Sequence, residues 1–317
     1  MKHTLISSPL QGFTDFRFRN AFDTYFGGID TFYAPYIRLN GKPDIKPAYN
    51  RDLLPKNNLV KHLVPQIITN SAEEFLFVAD YVQSLGYSEL NWNLGCPYPM
   101  VTKRGMGSGL ICETQKIDEI LDKVHQKSNI VVSMKMRMGY EKSDEILKTL
   151  PILDQYPIKS IGIHARIGKQ LYKGGVDLDA FEKCLTYSKH PIYYNGDITT
   201  VETFNQLTER FPTINTWMIG RGLIADPFLP QMIKNNSSIY PDHKLDTFKK
   251  FHDTLFNEYE QALSGPKHII MKMYHFWEYF STTFNDSRKA LKKIKKAKSI
   301  HAYDEAVRAI FLAELTK

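Results

Sequence analysis

Apolar residues follow two different rhythms along this chain. Up to about residue 235, short aliphatic and β-branched runs alternate with stretches in which apolar positions recur every three or four residues. The runs predict strands near Leu5–Ser8, Asp30–Ala34, Val60–Ile67, Glu89–Leu94, Ile130–Met136, Ser160–Ala165, Ile192–Asn195 and Trp217–Ile219. Helices are expected from Asp15, Ser71, Thr114, Ser143, Thr200 and Ala225, and several open on the Ser, Thr or Asp of an N-cap. The second and sixth helices are poorly marked. Continuous apolar strands separated by helices imply a parallel sheet covered on its outer face. Eight such strands in about 235 residues fit an α/β TIM barrel better than an open doubly wound sheet.

Beyond Tyr240-Pro241 the rhythm becomes helical throughout. His243–Leu263, Pro266–Phe284, Ser287–Lys298 and Tyr303–Leu315 are joined by short Gly, Pro, Asn, Asp or Ser turns and read as a small helical bundle. The expected division is a barrel over residues 1–238 and a helical domain over 239–317. No fixed-period repeat is present.

Charge sharpens this picture. The net charge is +7 with pI near 9.0. Between Ser287 and Lys317, nine Lys/Arg face three Asp/Glu, so nearly all of the excess lies in the tail. From Arg288 to Lys298 there are seven cations and no acid. Such a stretch is either a solvated basic helix or a surface for a polyanion, where lysines beside phosphates release counterions. Three cysteines, Cys96, Cys112 and Cys184, show neither disulfide nor zinc spacing, so no metal is expected and a reducing cytoplasm fits. No apolar run approaches the ~18 residues of a membrane span, and no secretory segment opens the chain. A cytoplasmic monomer is the expectation.

In a TIM barrel, chemistry gathers where strands end, at the carboxyl face. Gln66 ends the third predicted strand; Asn91, Asn93 and Cys96 follow along the fourth; Lys135 and Arg137 end the fifth. His164 and Arg166 end the sixth, Asn195-Gly196-Asp197 the seventh, and Gly220-Arg221 the eighth. Six consecutive polar strand ends make a site. Gly196 and Gly220 are either turn glycines or backbone that lets N–H groups approach a phosphate, with Arg221 adding a charge-assisted bond. The run Gly105-Met106-Gly107-Ser108-Gly109 has neither Rossmann nor P-loop spacing and reads as a mobile loop headed by Lys103 and Arg104. Cys96, directly after an apolar strand, could be a nucleophile, a proton donor or inert packing. Cys112 and Cys184 fall in stretches read as helical and suit packing.

The run Asn91-Trp92-Asn93-Leu94-Gly95-Cys96-Pro97, with Val101, Lys103, Gly105 and Gly109-Leu110, resembles the signature segment of the tRNA-dihydrouridine synthase family. So do Ser8-Pro9-Leu10-Gln11-Gly12 with Thr14-Asp15 and Arg19, then Lys135-Met136-Arg137 and His164-Ala165-Arg166. Asn195-Gly196-Asp197-Ile198 and Met218-Ile219-Gly220-Arg221-Gly222 with Asp226-Pro227 complete the series, in order from residue 8 to about 228. Leu10-Gln11 departs from the family's usual Met and small or acidic residue; a contact through backbone there would be unaffected. The helical tail matches only in character and position.

The resemblance implies an FMN-dependent enzyme that reduces the C5–C6 bond of a tRNA uridine with NADPH as reductant. It assigns Pro9, Leu10, Gln11, Gln66, Lys135, His164, Asn195, Gly196, Asp197, Gly220 and Arg221 to FMN, and Cys96 to the proton donor. It places Asn93, Arg137 and Arg166 around the flavin–uracil site. Lys103, Arg104, Lys292, Lys293, Lys295 and Lys296 are the candidate RNA contacts. Two rivals are a small-molecule flavin barrel of the dihydroorotate dehydrogenase kind and a non-catalytic RNA-binding barrel. A small substrate has no need of the basic tail, and a merely RNA-binding barrel has no need of Cys96, Lys135 and His164.

Overall fold

The computed structural model describes residues 3–39 and 41–315. Its sheet is a closed parallel barrel. The strands are β1 Thr4–Ser7, β2 Thr31–Tyr33, β3 in two segments (Leu63–Val64 and Gln66–Ile67), β4 Glu89–Leu94, β5 Val131–Gly139, β6 Ile161–Ile167, β7 Ile192–Asn195 and β8 Thr216–Ile219. Pro65 divides β3 because it has no N–H to give the ladder. The first segment pairs with β2 through Phe32↔Leu63, and the second with β4 through Gln66↔Asn91. With β1 against β8 at Leu5↔Trp217, the ring closes.

The strands do not all face two apolar layers. Along Glu89–Leu94, Leu90, Trp92 and Leu94 join the main hydrophobic core, while Glu89, Asn91 and Asn93 bond with residues of neighbouring strands. The period of two puts the second set inside the barrel, so part of its filling is polar. Below the carboxyl-end cavity, Ile6, Tyr33, Val64, Tyr193 and Met218 form a separate buried apolar cluster. Gly162 makes room for it, since a Cβ there would lie 2.1 Å from the Tyr193 ring.

Helix starts at Asp15, Ser71 and Thr200 are where expected, each side chain accepting a backbone N–H of the first turn. The helix expected from Ser143 begins at Ile146, and Thr114 is a first helical residue instead of a cap. Ala225 ends the short helix Arg221–Ala225, and the next helix is Leu229–Asn235. The poorly marked helices are Pro47–Leu53, only two turns long, and Leu178–Tyr187, capped by Asp177.

The C-terminal helices are Lys244–Ala262, Pro266–Phe280, Ser287–Lys296 and Ile300–Leu315. Their aromatic face continues the core of the barrel. Phe18 stacks on Phe276 at 5.8 Å, and Phe26 meets Phe251 edge-on at 4.9 Å. Polar ties flank this seam: Tyr259 Oη donates to Asp15 Oδ1 at 2.8 Å, and Lys272 Nζ donates to the Gly12 carbonyl at 2.6 Å. The bundle is therefore fastened to the loop that follows β1. Phe251 touches rings on both sides of the seam, so Phe251→Ala is expected to cost about 3–5 kcal/mol in urea unfolding. A loss below about 1 kcal/mol would show that the seam carries little of the stability.

Candidate active site

The carboxyl ends of the strands surround a cavity of about 410 Å³. Pro9, Leu10, Gln11, Asn93, Cys96, Lys135, Arg137, His164, Asn195, Gly196, Asp197, Gly220 and Arg221 all line it. These residues come from six places in the chain and meet because each follows or ends a strand. The loop after β1 is held by Arg19, wholly buried, whose guanidinium donates to the Thr14 carbonyl at 2.7 Å and to Asp52 and Asn58. Thr14 Oγ1 in turn accepts the Leu10 N–H at 2.9 Å.

One side of the cavity is strongly cationic. Lys135 Nζ donates to Asn195 Oδ1 at 3.1 Å, and Asn195 Nδ2 donates to the Met218 carbonyl at 2.8 Å. Arg137 is fixed by two carbonyls, of Ile167 and Leu171, each at 2.6 Å. Burial pulls Lys135 down to about 7, helped by Arg137, and Arg137 to about 10, helped by Arg166 and Arg221. Lys135 is surrounded by protein and open only toward the cavity, which is why so large a desolvation acts on a residue that is not fully covered. His164 is held well below its ordinary range by burial, then by Lys135, Arg137, Arg166 and Arg221. It is neutral, and because an arginine can only donate, Nε2 accepts from Arg166 Nη1 at 3.3 Å and Nδ1 keeps the proton.

Asp197 is the carboxylate answering these cations. It pairs with Arg166, and its Oδ1 accepts from Arg221 Nη2 at 3.1 Å. Its own φ of +41° and the +147° of Gly196 form a turn in which a side chain at 196 would meet Val176 at 2.8 Å, so glycine is required there. Arg166 does not line the cavity. It is buried beneath Asp197 and bonded to the Gly174 carbonyl, while its Nε has no partner among the described residues.

Cys96 follows β4, the strand beside that of Lys135, with Asn93 and Lys135 in register. Its N–H and that of Gly95 donate to Asn93 Oδ1 at 2.9 and 3.0 Å, and its carbonyl accepts from Ser108 N and Oγ. Asn93 Nδ2 donates to Gln66 Oε1 at 2.8 Å, and Gln66 Nε2 to Asn91 Oδ1 at 2.7 Å. The series continues through Ser133 to Glu89, which Lys159 meets from below. Gln66 is thus a completely buried support under Asn93, outside the cavity lining. The Gly105–Gly109 run is corrected by this packing. Met106, Gly107 and Ser108 are buried under Cys96, and a Cβ on Gly107 would lie 2.5 Å from the Cys96 carbonyl oxygen.

Aromatic residues that the sequence did not single out complete the cavity: Phe13, Tyr36, Tyr98, Tyr172 and Tyr279. Tyr172 lies under both Arg221 (4.6 Å) and Arg137 (5.4 Å) as a cation–π platform. Tyr279 comes from the helical bundle. Lys103 and Arg104 are exposed and outside the lining. Cys112, read as helical, lies instead in an exposed turn before helix Thr114–Lys127; Cys184 is fully buried in its helix. On helix Ser287–Lys296, Ala290 and Ile294 face inward, while Lys292, Lys295 and Lys296 are exposed and Lys293 half-buried. Among the described residues none of these four lysines forms an ion pair.

Residues 5–313 match the family model described as Dihydrouridine synthase (Dus). The chain belongs to the dihydrouridine synthase family. That places it among FMN-binding oxidoreductases. Relatives include a probable tRNA-dihydrouridine synthase of Helicobacter pylori (26% identical, over 76% of this chain and 73% of that one). Another, from Staphylococcus aureus, is 27% identical over 81% and 78%. Similar solved structures include 2-naphthoyl-CoA reductase (TM-score 0.55, 10% identity, 74% of this chain and 50% of that one) and morphinone reductase (0.51, 12%, 77% and 88%), a likeness of fold. Among the described residues no helix is long and apolar enough to cross a membrane.

The site of this family member fits FMN on its own chemistry. Lys135, Arg137 and Arg221 line the cavity against the single carboxylate of Asp197, which leaves it short of negative charge that a phosphate would supply. The sign of the Lys135 shift gives a test. The unfolded lysine titrates near its ordinary 10.5, the folded one near 7. Between those values the unfolded chain binds the extra proton, so stability of the ligand-free protein rises with pH across that window. Lys135→Met should stabilise the ligand-free protein most below pH about 7, with the gain vanishing toward pH about 10. Urea unfolding at a series of pH values checks this; a gain independent of pH would mean that charge burial is not its source.

Proposed function

We propose that this family member reduces the C5–C6 double bond of a uridine in tRNA, with FMN bound in the cavity and NADPH as reductant. The observation that carries the reading is the placement of the Cys96 thiol in one cavity with Lys135, His164 and Arg221. Its relatives, probable tRNA-dihydrouridine synthases, support the same substrate.

In this reading the barrel through residue 238 holds FMN. The backbone at Pro9, Leu10 and Gln11, together with Lys135, His164 and Asn195, contacts its ring system. Gly196, Gly220 and Arg221 take the phosphate, Asp197 orients Arg221, and Gln66 acts from beneath by fixing Asn93. When bound, FMN supplies the redox chemistry, taking two electrons from the nicotinamide and passing them on as hydride. Cys96 holds the proton that goes to C5. Negative charge developing on the uracil oxygens is met by N–H donors, for which Asn93, Lys135 and Arg137 are the groups at hand, while Arg166 acts from beneath through Asp197. A base stacked in folded RNA cannot enter a cavity this deep, so the uridine is swung out to reach it.

Removing the thiol separates the acid from the rest. Cys96→Ala should keep its flavin and its NADPH oxidation yet reduce tRNA uridine about 10²–10⁴-fold more slowly. Cys112→Ala and Cys184→Ala should stay near wild type in the same assay. Wild-type turnover by Cys96→Ala would move the acid elsewhere.

Residues 239–317 are proposed to grip the RNA, with Lys292, Lys293, Lys295 and Lys296 along phosphates and Lys103 and Arg104 at the mouth. A helix with cations on every exposed position repels itself, and a purely structural helix would mix in acids. Reversing the four lysines to Glu should spare flavin content and NADPH oxidation while weakening tRNA binding. Each lost phosphate contact lowers the salt slope of binding by about one unit. Unchanged affinity and slope in filter binding would send the search for the RNA surface to Lys103 and Arg104.

A further inference from the structure

We propose that Tyr36 is the hydrogen-bond donor that receives the Cys96 thiolate once the thiol has given up its proton, a role that rests on Cys96 being the acid. Its hydroxyl lies 3.8 Å from Cys96 Sγ, within hydrogen-bonding range for sulfur. Among the described residues it is the only side chain bonded to that sulfur. Apolar side chains pack beside it: Ile68, Val101 and Met106.

Tyr36 is held where it can act. Ile37, next in the chain, extends the ladder past β2, its N–H donating to the Gln66 carbonyl at 2.7 Å and its carbonyl accepting from Ile68 at 3.0 Å. Gln11 Nε2 donates to the Tyr36 carbonyl at 2.9 Å. Cys96 is pinned just as firmly through Asn93 and Ser108. Two fixed backbones therefore present a hydroxyl to a thiol inside the cavity.

The chemistry gives that contact a purpose. As hydride reaches C6 from the flavin cofactor, charge accumulates on the uracil. The Cys96 S–H bond then breaks, a C5–H bond forms, and the electron pair of S–H stays on sulfur. A thiolate in an apolar shell is costly unless it is paired or hydrogen-bonded. Tyr36 O–H donates to it and keeps its own proton, while solvent at the mouth later restores the thiol. Burial raises the Tyr36 phenol, followed in effect by its neighbour Cys96, so the hydroxyl remains a donor. Lys135 and Arg137 from β5 and Tyr172 from the loop after β6 are the other ionisable groups acting on this sulfur. They set the field around it, whereas Tyr36 makes the bond. Because the bond to the thiolate is stronger than the bond to the thiol, it favours the transfer step over the resting state.

The test is Tyr36→Phe, which removes one oxygen and keeps the ring. In the holoenzyme, the pH dependence of iodoacetamide modification at Cys96, followed by peptide mass spectrometry, should shift its midpoint upward by about one unit. Uridine reduction on tRNA should fall about 10–100-fold, with flavin content and NADPH oxidation unchanged. Replacing Tyr36 with 3-fluorotyrosine, a stronger donor, should shift the midpoint downward. A loss from packing alone would slow turnover without moving the midpoint, and an unmoved midpoint overturns the proposal. If the midpoint moves while the wild type reduces no tRNA uridine, the contact stands and the assigned reaction is what fails.

Discussion

Closure of the barrel between β3 and β4 is the constraint on which the rest depends. Closing eight strands leaves an interior that must be filled, and on this side it is filled by amides and hydroxyls. Gln66, Asn91 and Asn93 reach one another only because the second half of β3 pairs with β4 in the register Gln66↔Asn91. A slip by one residue would put Gln66 on the opposite face of the sheet from Asn91 and Asn93. The carboxamide that holds the backbone of Cys96 would lose its support. Its place on the cavity wall is thus a property of strand register as much as of its own loop.

Polar filling is expensive unless every group is paired. Here the series from Lys159 through Glu89, Ser133, Asn91 and Gln66 to Asn93 satisfies its members in turn. At the cavity itself the balance is deliberately incomplete: Lys135, Arg137 and Arg221 line it, Asp197 pairs with Arg221 and with Arg166 beneath, and burial works against Lys135. Stability surrendered there is what an anionic ligand recovers on binding, which is the usual trade at a site built for function.

Much of this was legible in the chain. Strands Glu89–Leu94 and Ile192–Asn195 read directly, the first from strict alternation of apolar and polar residues, the second from an apolar and aromatic run that ends on Asn195. The strand-end rule also found Cys96, Lys135, His164, Asn195 and Arg221, which need only a strand and its last residue to be recognised. Tyr36, Tyr172 and Tyr279 were missed for the opposite reason. Each reaches the cavity through a turn or a packing seam, and a tyrosine in a loop or on a helix carries no local sign of what it will face. Helix Leu178–Tyr187 was missed although Asp177 caps it, and Arg166 and Gln66 turned out to lie behind the residues they support. Period and composition say which face a residue takes, but not its depth below a surface.

The buried plug of Ile6, Tyr33, Val64, Tyr193 and Met218 has a consequence for access. Met218 borders the carboxyl-end cavity, while the other four border a second hollow at the opposite end of the barrel. The two ends are therefore separate chambers with a dry partition between them, and what one end admits the other does not meet.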